Sequence, residues 1–183
     1  IQIGGLGFMT ITAMIFVAVG KRITLRERVI IQEAFNEESL QGMLKLVLNA
    51  IKVTVVIEGT AAILLALRFI PEYGIPRGIY SAVFIAVSSF CNAGFDPFGF
   101  DNSITPYVAD PAVNFVIMAV IVLGGLGFSV ILDVVHHRRW KKLSLHSRVA
   151  LAVTGCLLAS GTLLIALLEW NNPGTLADPA SEL

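Results

Sequence analysis

Four apolar runs, Ile1–Val19, Leu44–Ile70, Ala112–Val135 and Val149–Trp170, are each about as long as a bilayer is thick. A hydrocarbon core of roughly 30 Å takes about 20 helical residues to cross, and a helix satisfies its own backbone polar groups on the way. The runs are continuous rather than striped, so they do not describe surface helices of a soluble domain. Composition agrees: a soluble chain devotes about a quarter of its residues to charge, whereas 14% are charged and 56% hydrophobic here. The sequence therefore predicts an all-α integral membrane protein.

The net charge is zero, and nothing points to nucleic acid. Cys91 and Cys156 match no metal spacing and give no disulfide framework. There is no initiator Met and no signal-peptide pattern, and the chain opens on Ile-Gln-Ile-Gly-Gly inside an apolar run. It reads as a fragment whose first segment lacks its outer part.

Basic residues sort the connections. Lys21, Arg22, Arg26, Arg28 and Lys45 fall in segment 21–48, and Arg138, Arg139, Lys141, Lys142 and Arg148 in segment 136–148. The remaining connections hold only Arg68 and Arg77, while Lys52, just inside a span, can snorkel to the basic side. This bias places both basic segments in the cytoplasm. Glu72, Asp96, Asp101, Asp110, Glu169, Asp178 and Glu182 then fall outside, either as a vestibule that concentrates cations or as ordinary solvated loop charges. The first helix runs inward to Gly20, and a short amphipathic helix is expected around Glu27–Met43. The second span runs outward and stops at Pro71. The third runs inward from about Ala112, and the fourth outward from about Ser147 to near Asn171-Asn172-Pro173.

One apolar stretch does not fit the count. Ile79–Phe90 lies between two points that must both be outside, and it is only about a dozen residues long, the length of a re-entrant or buried helix. Cys91-Asn92-Ala93-Gly94-Phe95-Asp96 follows at once. Irregular backbone at membrane depth is tolerated where it is buried in protein or lines a watery cavity. A half-membrane helix would aim its negative C-terminal dipole at the membrane centre, and successive carbonyls after it could replace the water shell of a cation. Gly94 permits the positive φ that such a turn needs. The plainer alternative is a lipid-anchoring outer loop with an ordinary turn glycine.

The chain also repeats itself. Gly4-Gly5-Leu6-Gly7-Phe8 recurs as Gly124-Gly125-Leu126-Gly127-Phe128, and at the same offset of 120, Lys21-Arg22-Ile23-Thr24-Leu25 matches Lys141-Lys142-Leu143-Ser144-Leu145. Gly59-Thr60 matches Gly161-Thr162 at an offset of 102, so the earlier linker is longer by 18 residues. Helix–loop–helix units in an array follow. A single loop offers too few carbonyls to enclose an ion, so function needs further copies around an axis. The glycine pairs suit close helix packing in lipid. They do not spell a dinucleotide site, because Thr10 stands where the third glycine belongs.

Gln2-Ile3-Gly4-Gly5-Leu6-Gly7-Phe8-Met9-Thr10, Ser89-Phe90-Cys91-Asn92-Ala93-Gly94-Phe95-Asp96 and Leu123-Gly124-Gly125-Leu126-Gly127-Phe128 together resemble the Trk/Ktr/HKT potassium transporter family. The linker from Lys21 to Arg28 and the span end Glu169-Trp170-Asn171-Asn172 are similar to its bacterial KtrB branch. The resemblance implies four M1–pore-loop–M2 units in one polypeptide with pseudo-fourfold, potassium-channel-like symmetry. It divides this chain into the second helix of unit one (1–20), a cytoplasmic linker with a short amphipathic helix (21–43) and a complete unit two (44–139). The linker and first helix of unit three (140–172) and the extracellular start of the next pore segment (173–183) complete it. Gly94 matches the family's filter glycine, with Asn92, Ala93 and Phe95 offering carbonyls to K⁺ beside it. Cys91 stands where relatives often have Asn, a change that backbone-borne selectivity should tolerate. The resemblance further implies potassium uptake across the cell membrane without a cofactor, with sodium coupling left open. It also implies a homodimer docked on a cytosolic ring of nucleotide-binding regulatory subunits of the RCK/KtrA type.

Other residues carry two readings each. Glu58, near the centre of a span, is an ion-path ligand or a hydrogen-bonded residue between packed helices. Asp133, His136 and His137 suggest a metal site, but adjacent histidines point about 100° apart on a helix, so a juxtamembrane cluster is the better reading. Among other functions, an intramembrane enzyme would need a converging nucleophile–base or metal set, which the spans do not offer. A non-conducting membrane scaffold would not need the half-length helix and its glycine turn. Sodium permeation is the nearest rival within transport.

Overall fold

In the computed structural model, residues 1–2, 40–98, 103–170 and 172 are described. The Gly4–Phe8 block, the basic residues of 21–39, Asp101 and segment 173–183 lie outside the described residues, as does most of the expected amphipathic helix. All regular structure among the described residues is helical: α1 Leu40–Tyr73, α2 Ile75–Phe90, α3 Pro111–Leu126, α4 Phe128–His137 and α5 Leu145–Glu169, with 3-10 turns at Thr105–Tyr107 and Trp140–Lys142. The chain divides into two compact units, Ile1–Phe128 and Ser129–Leu183.

Leu48–Tyr73 and Leu145–Glu169 are each long and apolar enough to cross a membrane. Four expectations are adjusted. Residues 40–43, assigned above to the cytoplasmic linker, are already part of α1. The second span continues through Pro71 to Tyr73, because a proline in a last turn removes one hydrogen bond, toward Leu67, and no more. The third span is not continuous over 112–135. It breaks between α3 and α4 at Gly127, whose φ of 82° and ψ of 151° leave the helical region, and the two helices count as a crossing only if taken together. The short apolar helix is 16 residues rather than a dozen, with Pro76 in its first turn. At about 1.5 Å per residue it reaches about 24 Å, still short of the hydrocarbon thickness.

In the first unit, α1 and α2 pack along their length and α3 closes against both. Ala50, Thr54, Glu58, Ala61, Leu65 and Phe69 recur on α1 at steps of four and three and are all buried, while Val55, Val56, Ile63 and Leu67 are exposed. Ala82, Ile85, Ala86 and Phe90 from α2 and Val113, Ile117 and Val120 from α3 complete the core. Lipid is as apolar as these side chains, so burial gains little transfer energy here. Close packing and paired polar groups decide the arrangement instead.

The outer end of this unit is held by an aromatic and ionic knot. Phe69 meets Phe98 edge-on at 5.5 Å and Tyr107 at 5.0 Å, pairs of a kind worth about 0.5–1.5 kcal/mol each. The Tyr107 hydroxyl donates to Glu72 at 2.6 Å. Asp110 caps α3, its Oδ1 accepting from the N–H groups of Ala112 and Val113, and its Oδ2 accepts from Arg68 Nε at 2.5 Å. The Arg68 hydrogen bond, and then those backbone donors, hold the Asp110 carboxyl below the usual carboxylate range. A group lowered in the folded state stabilises above its unfolded pKa of about 3.9, and that contribution is lost as the pH falls toward the lowered folded value. Asp110→Ala is expected to lower the unfolding midpoint of the full-length protein by a few degrees at pH 7. That difference should shrink below about pH 4, which melting curves at both pH values would check.

In the second unit, Ser144 caps α5 by accepting from the Ser147 N–H. Asp133 Oδ2 accepts from the Ser144 N–H at 2.9 Å and its Oδ1 pairs with His137 Nδ1 at 2.7 Å. Asp133 is thus a clamp on the short linker, as the juxtamembrane reading expects, and Arg138, Arg139, Lys141 and Lys142 are exposed around it.

Candidate functional site

The last turn of α2 and the loop after it form one hydrogen-bonded unit. The N–H groups of Cys91, Asn92 and Ala93 donate to the carbonyls of Val87, Ser89 and Ser88. The Ala93–Ser88 and Asn92–Ser89 bonds are the paired closure that ends a helix on a left-handed residue, usually Gly and sometimes Asn. Asn92 takes that conformation, at φ 51°. Its positive φ therefore belongs to helix termination.

Gly94 turns the chain a second time, at φ 70°, and among the described residues a Cβ there would meet nothing within 4 Å. The glycine is needed for backbone conformation and not for space. Among the described residues, no donor meets the carbonyls of Asn92, Ala93 or Gly94. Phe95 differs: its carbonyl accepts from Ser88 Oγ at 2.6 Å, and its N–H donates to the same oxygen at 2.9 Å. The loop borders a cavity of about 240 Å³ lined by Ser88, Ser89, Asn92, Gly94 and Asp96, with Ile117 of α3 opposite.

The four expected site residues thus stand consecutively in one irregular stretch behind a helix too short to span. Sequence reasoning did not single out Ser88, whose hydroxyl ties the last turn of α2 to Phe95. Nothing in its spacing from Phe95 is periodic, and only its polarity in an apolar helix could have drawn notice.

The glycine block at the end of α3 begins beside this loop. A Cβ on Gly124 would run into the carbonyl oxygen of Phe90 and lie 2.9 Å from its carbon, so the packing role expected of the glycine pairs is realised there. Glu58 Oε2 accepts from Gln2 Nε2 at 2.9 Å, and the Cys91 thiol reaches Gln2 Oε1 at 3.6 Å. Glu58 is hydrogen-bonded through Oε2, while its buried Oε1 meets no donor among the described residues. A polar bridge connects mid-span α1 to the loop.

The TrkH family profile, described as cation transport protein, matches residues 1–172. The chain is 43% identical over 176 residues to the Ktr system potassium uptake protein B of Bacillus subtilis, covering 96% of this chain and 39% of that protein. It is 43% identical over 171 residues to the potassium/sodium uptake protein NtpJ of Enterococcus hirae, covering 93% and 38%. A third relative, the Ktr system potassium uptake protein B of Vibrio alginolyticus, is 38% identical over 179 residues, at 96% and 38%. The chain spans about two fifths of the length of these relatives. Apolar helices of crossing length, a helix too short to span closed by an irregular loop, and a profile match over nearly every residue converge on one conclusion: this membrane-integral chain belongs to the TrkH family of cation transport proteins.

Proposed function

We propose that the chain carries one complete M1–pore-loop–M2 unit, 44–139, of a potassium-uptake protein, flanked by parts of the units on either side. In this reading Asn92, Ala93, Gly94 and Phe95 face the ion path, and K⁺ exchanges its water shell for their backbone oxygens. The observation that carries it is the run of carbonyls at Asn92, Ala93 and Gly94, which no donor among the described residues meets, after an apolar helix too short to span. A membrane scaffold would have no use for that open backbone. One loop cannot surround an ion, so further units, related by pseudo-fourfold symmetry, are part of the proposal.

Relatives described as parts of a Ktr system support partners for the whole protein. The reading here is a homodimer whose exposed basic linker, Arg138–Lys142, faces a cytosolic ring of nucleotide-binding subunits. The relative described as a potassium/sodium uptake protein favours one second reading, sodium permeation through the same loop. Both are tested by reconstituting the full-length protein in vesicles. Saturable Rb⁺ uptake, displaced by K⁺ at least tenfold better than by Na⁺, is expected. Equal displacement selects the sodium reading, and absence of cation flux with intact protein sinks both.

A further inference from the structure

We infer that Ser88 is the positioning residue of the loop, and that it withdraws the Phe95 carbonyl from the ion path. This narrows the ion-facing set to Asn92, Ala93 and Gly94. The inference rests on the pore-loop reading and deepens it.

Ser88 is 3% exposed, on the face of α2 that packs into the unit. Its hydroxyl meets Phe95 twice, donating to the carbonyl and accepting from the N–H. One oxygen thus fixes both backbone polar groups of a residue seven positions away. A carbonyl that accepts a short bond from a buried hydroxyl has its oxygen drawn toward the helix that carries the hydroxyl. It offers less electron density to a cation elsewhere. The three preceding carbonyls carry no such bond among the described residues. The boundary between ion-facing and helix-facing backbone therefore falls between Gly94 and Phe95, at the glycine whose φ of 70° reverses the chain. Among the described residues the Phe95 side chain is 61% exposed, and the hydrogen bonds that hold Phe95 are those of its backbone.

Removing the hydroxyl frees the Phe95 carbonyl and loosens the turn without adding volume. A threonine keeps the hydroxyl and adds only a methyl group.

The experiment measures K⁺ and Na⁺ transport by the full-length protein in vesicles for Ser88→Ala, Ser88→Thr and Gly94→Ser. Ser88→Ala is expected to lower discrimination of K⁺ over Na⁺ by about fivefold or more, chiefly through a raised KM for K⁺, with maximal rate within about twofold of the parent. Ser88→Thr should keep discrimination within about twofold. Unchanged discrimination in Ser88→Ala, or equal loss in Ser88→Thr, overturns the role of the hydroxyl. A fall in maximal rate at constant discrimination overturns it as well, since that is what a merely structural residue would give. Gly94→Ser separates the two levels. If it alters discrimination while Ser88→Ala does not, the Ser88 inference alone fails; if neither does, the pore-loop reading itself falls.

Discussion

Discrimination of K⁺ over Na⁺ by the full-length transporter is expected to fall roughly 5–30-fold when Gly94 is replaced by Ser, with the amount of assembled protein unchanged. The argument separates conformation from volume. Among the described residues a Cβ at Gly94 meets nothing within 4 Å, so no neighbour within this unit has to move. What changes is backbone preference: an L-residue in the left-handed region costs about 1–2 kcal/mol that glycine does not incur, and that energy corresponds to a factor of about 5–30. The loop relieves it by rotating away from φ 70°, which re-aims the carbonyls on either side of the turn. Transport of both ions, with membrane protein quantified in parallel, checks this. A loss of protein with discrimination intact in the remainder would contradict it.

Gly124→Ala should do the opposite, damaging the fold before the selectivity. Here the Cβ would be driven into the Phe90 carbonyl, and backbone cannot step aside as a flexible side chain can. Overpacking of this kind costs about 1–3 kcal/mol and occasionally more. The closest relief is separation of α3 from the end of α2, which also opens the ring contact of Phe90 with Phe128, 6.2 Å between centroids. A lower yield of monodisperse protein and a depressed unfolding midpoint are expected, with Gly125→Ala as the control, since a Cβ there has only the Asn92 side chain at 3.9 Å. Equal stability of the two variants would refute the close approach.

Much of this was legible in the residues, and the parts that were not have physical reasons. The two continuous spans, Leu48–Tyr73 and Leu145–Glu169, and the helix too short to span between them follow from run lengths alone. Which face of α1 is buried does not, because lipid asks for the same side chains as the core. Val55 and Val56 are exposed and Leu65 is buried, and no hydropathy pattern separates them. Only the small and polar members of the buried stripe, Ala50, Thr54, Glu58 and Ala61, give it away. The interruption at Gly127 was hidden for a similar reason, since a continuous apolar run does not say whether its backbone is continuous. Helix α2 began four residues ahead of its apolar stretch because Pro76 and Arg77 serve a helix start that hydropathy does not score. In the loop, the glycine turn could be read directly. The left-handed Asn92 and the Ser88 tie could not, because both depend on how the last helical turn closes.

That closure has a bearing on how the protein comes apart. The amides of Cys91, Asn92 and Ala93 are spent on the end of α2, while carbonyls of the same short stretch are the ones the proposed pore loop would offer to the ion. Fraying of one is therefore fraying of the other, and no local opening can release the helix tip while sparing the loop. Deuterium uptake at those three amide protons should rise and fall as a single event, slowed when K⁺ is abundant, and would serve as a clock for occupancy that needs no flux at all.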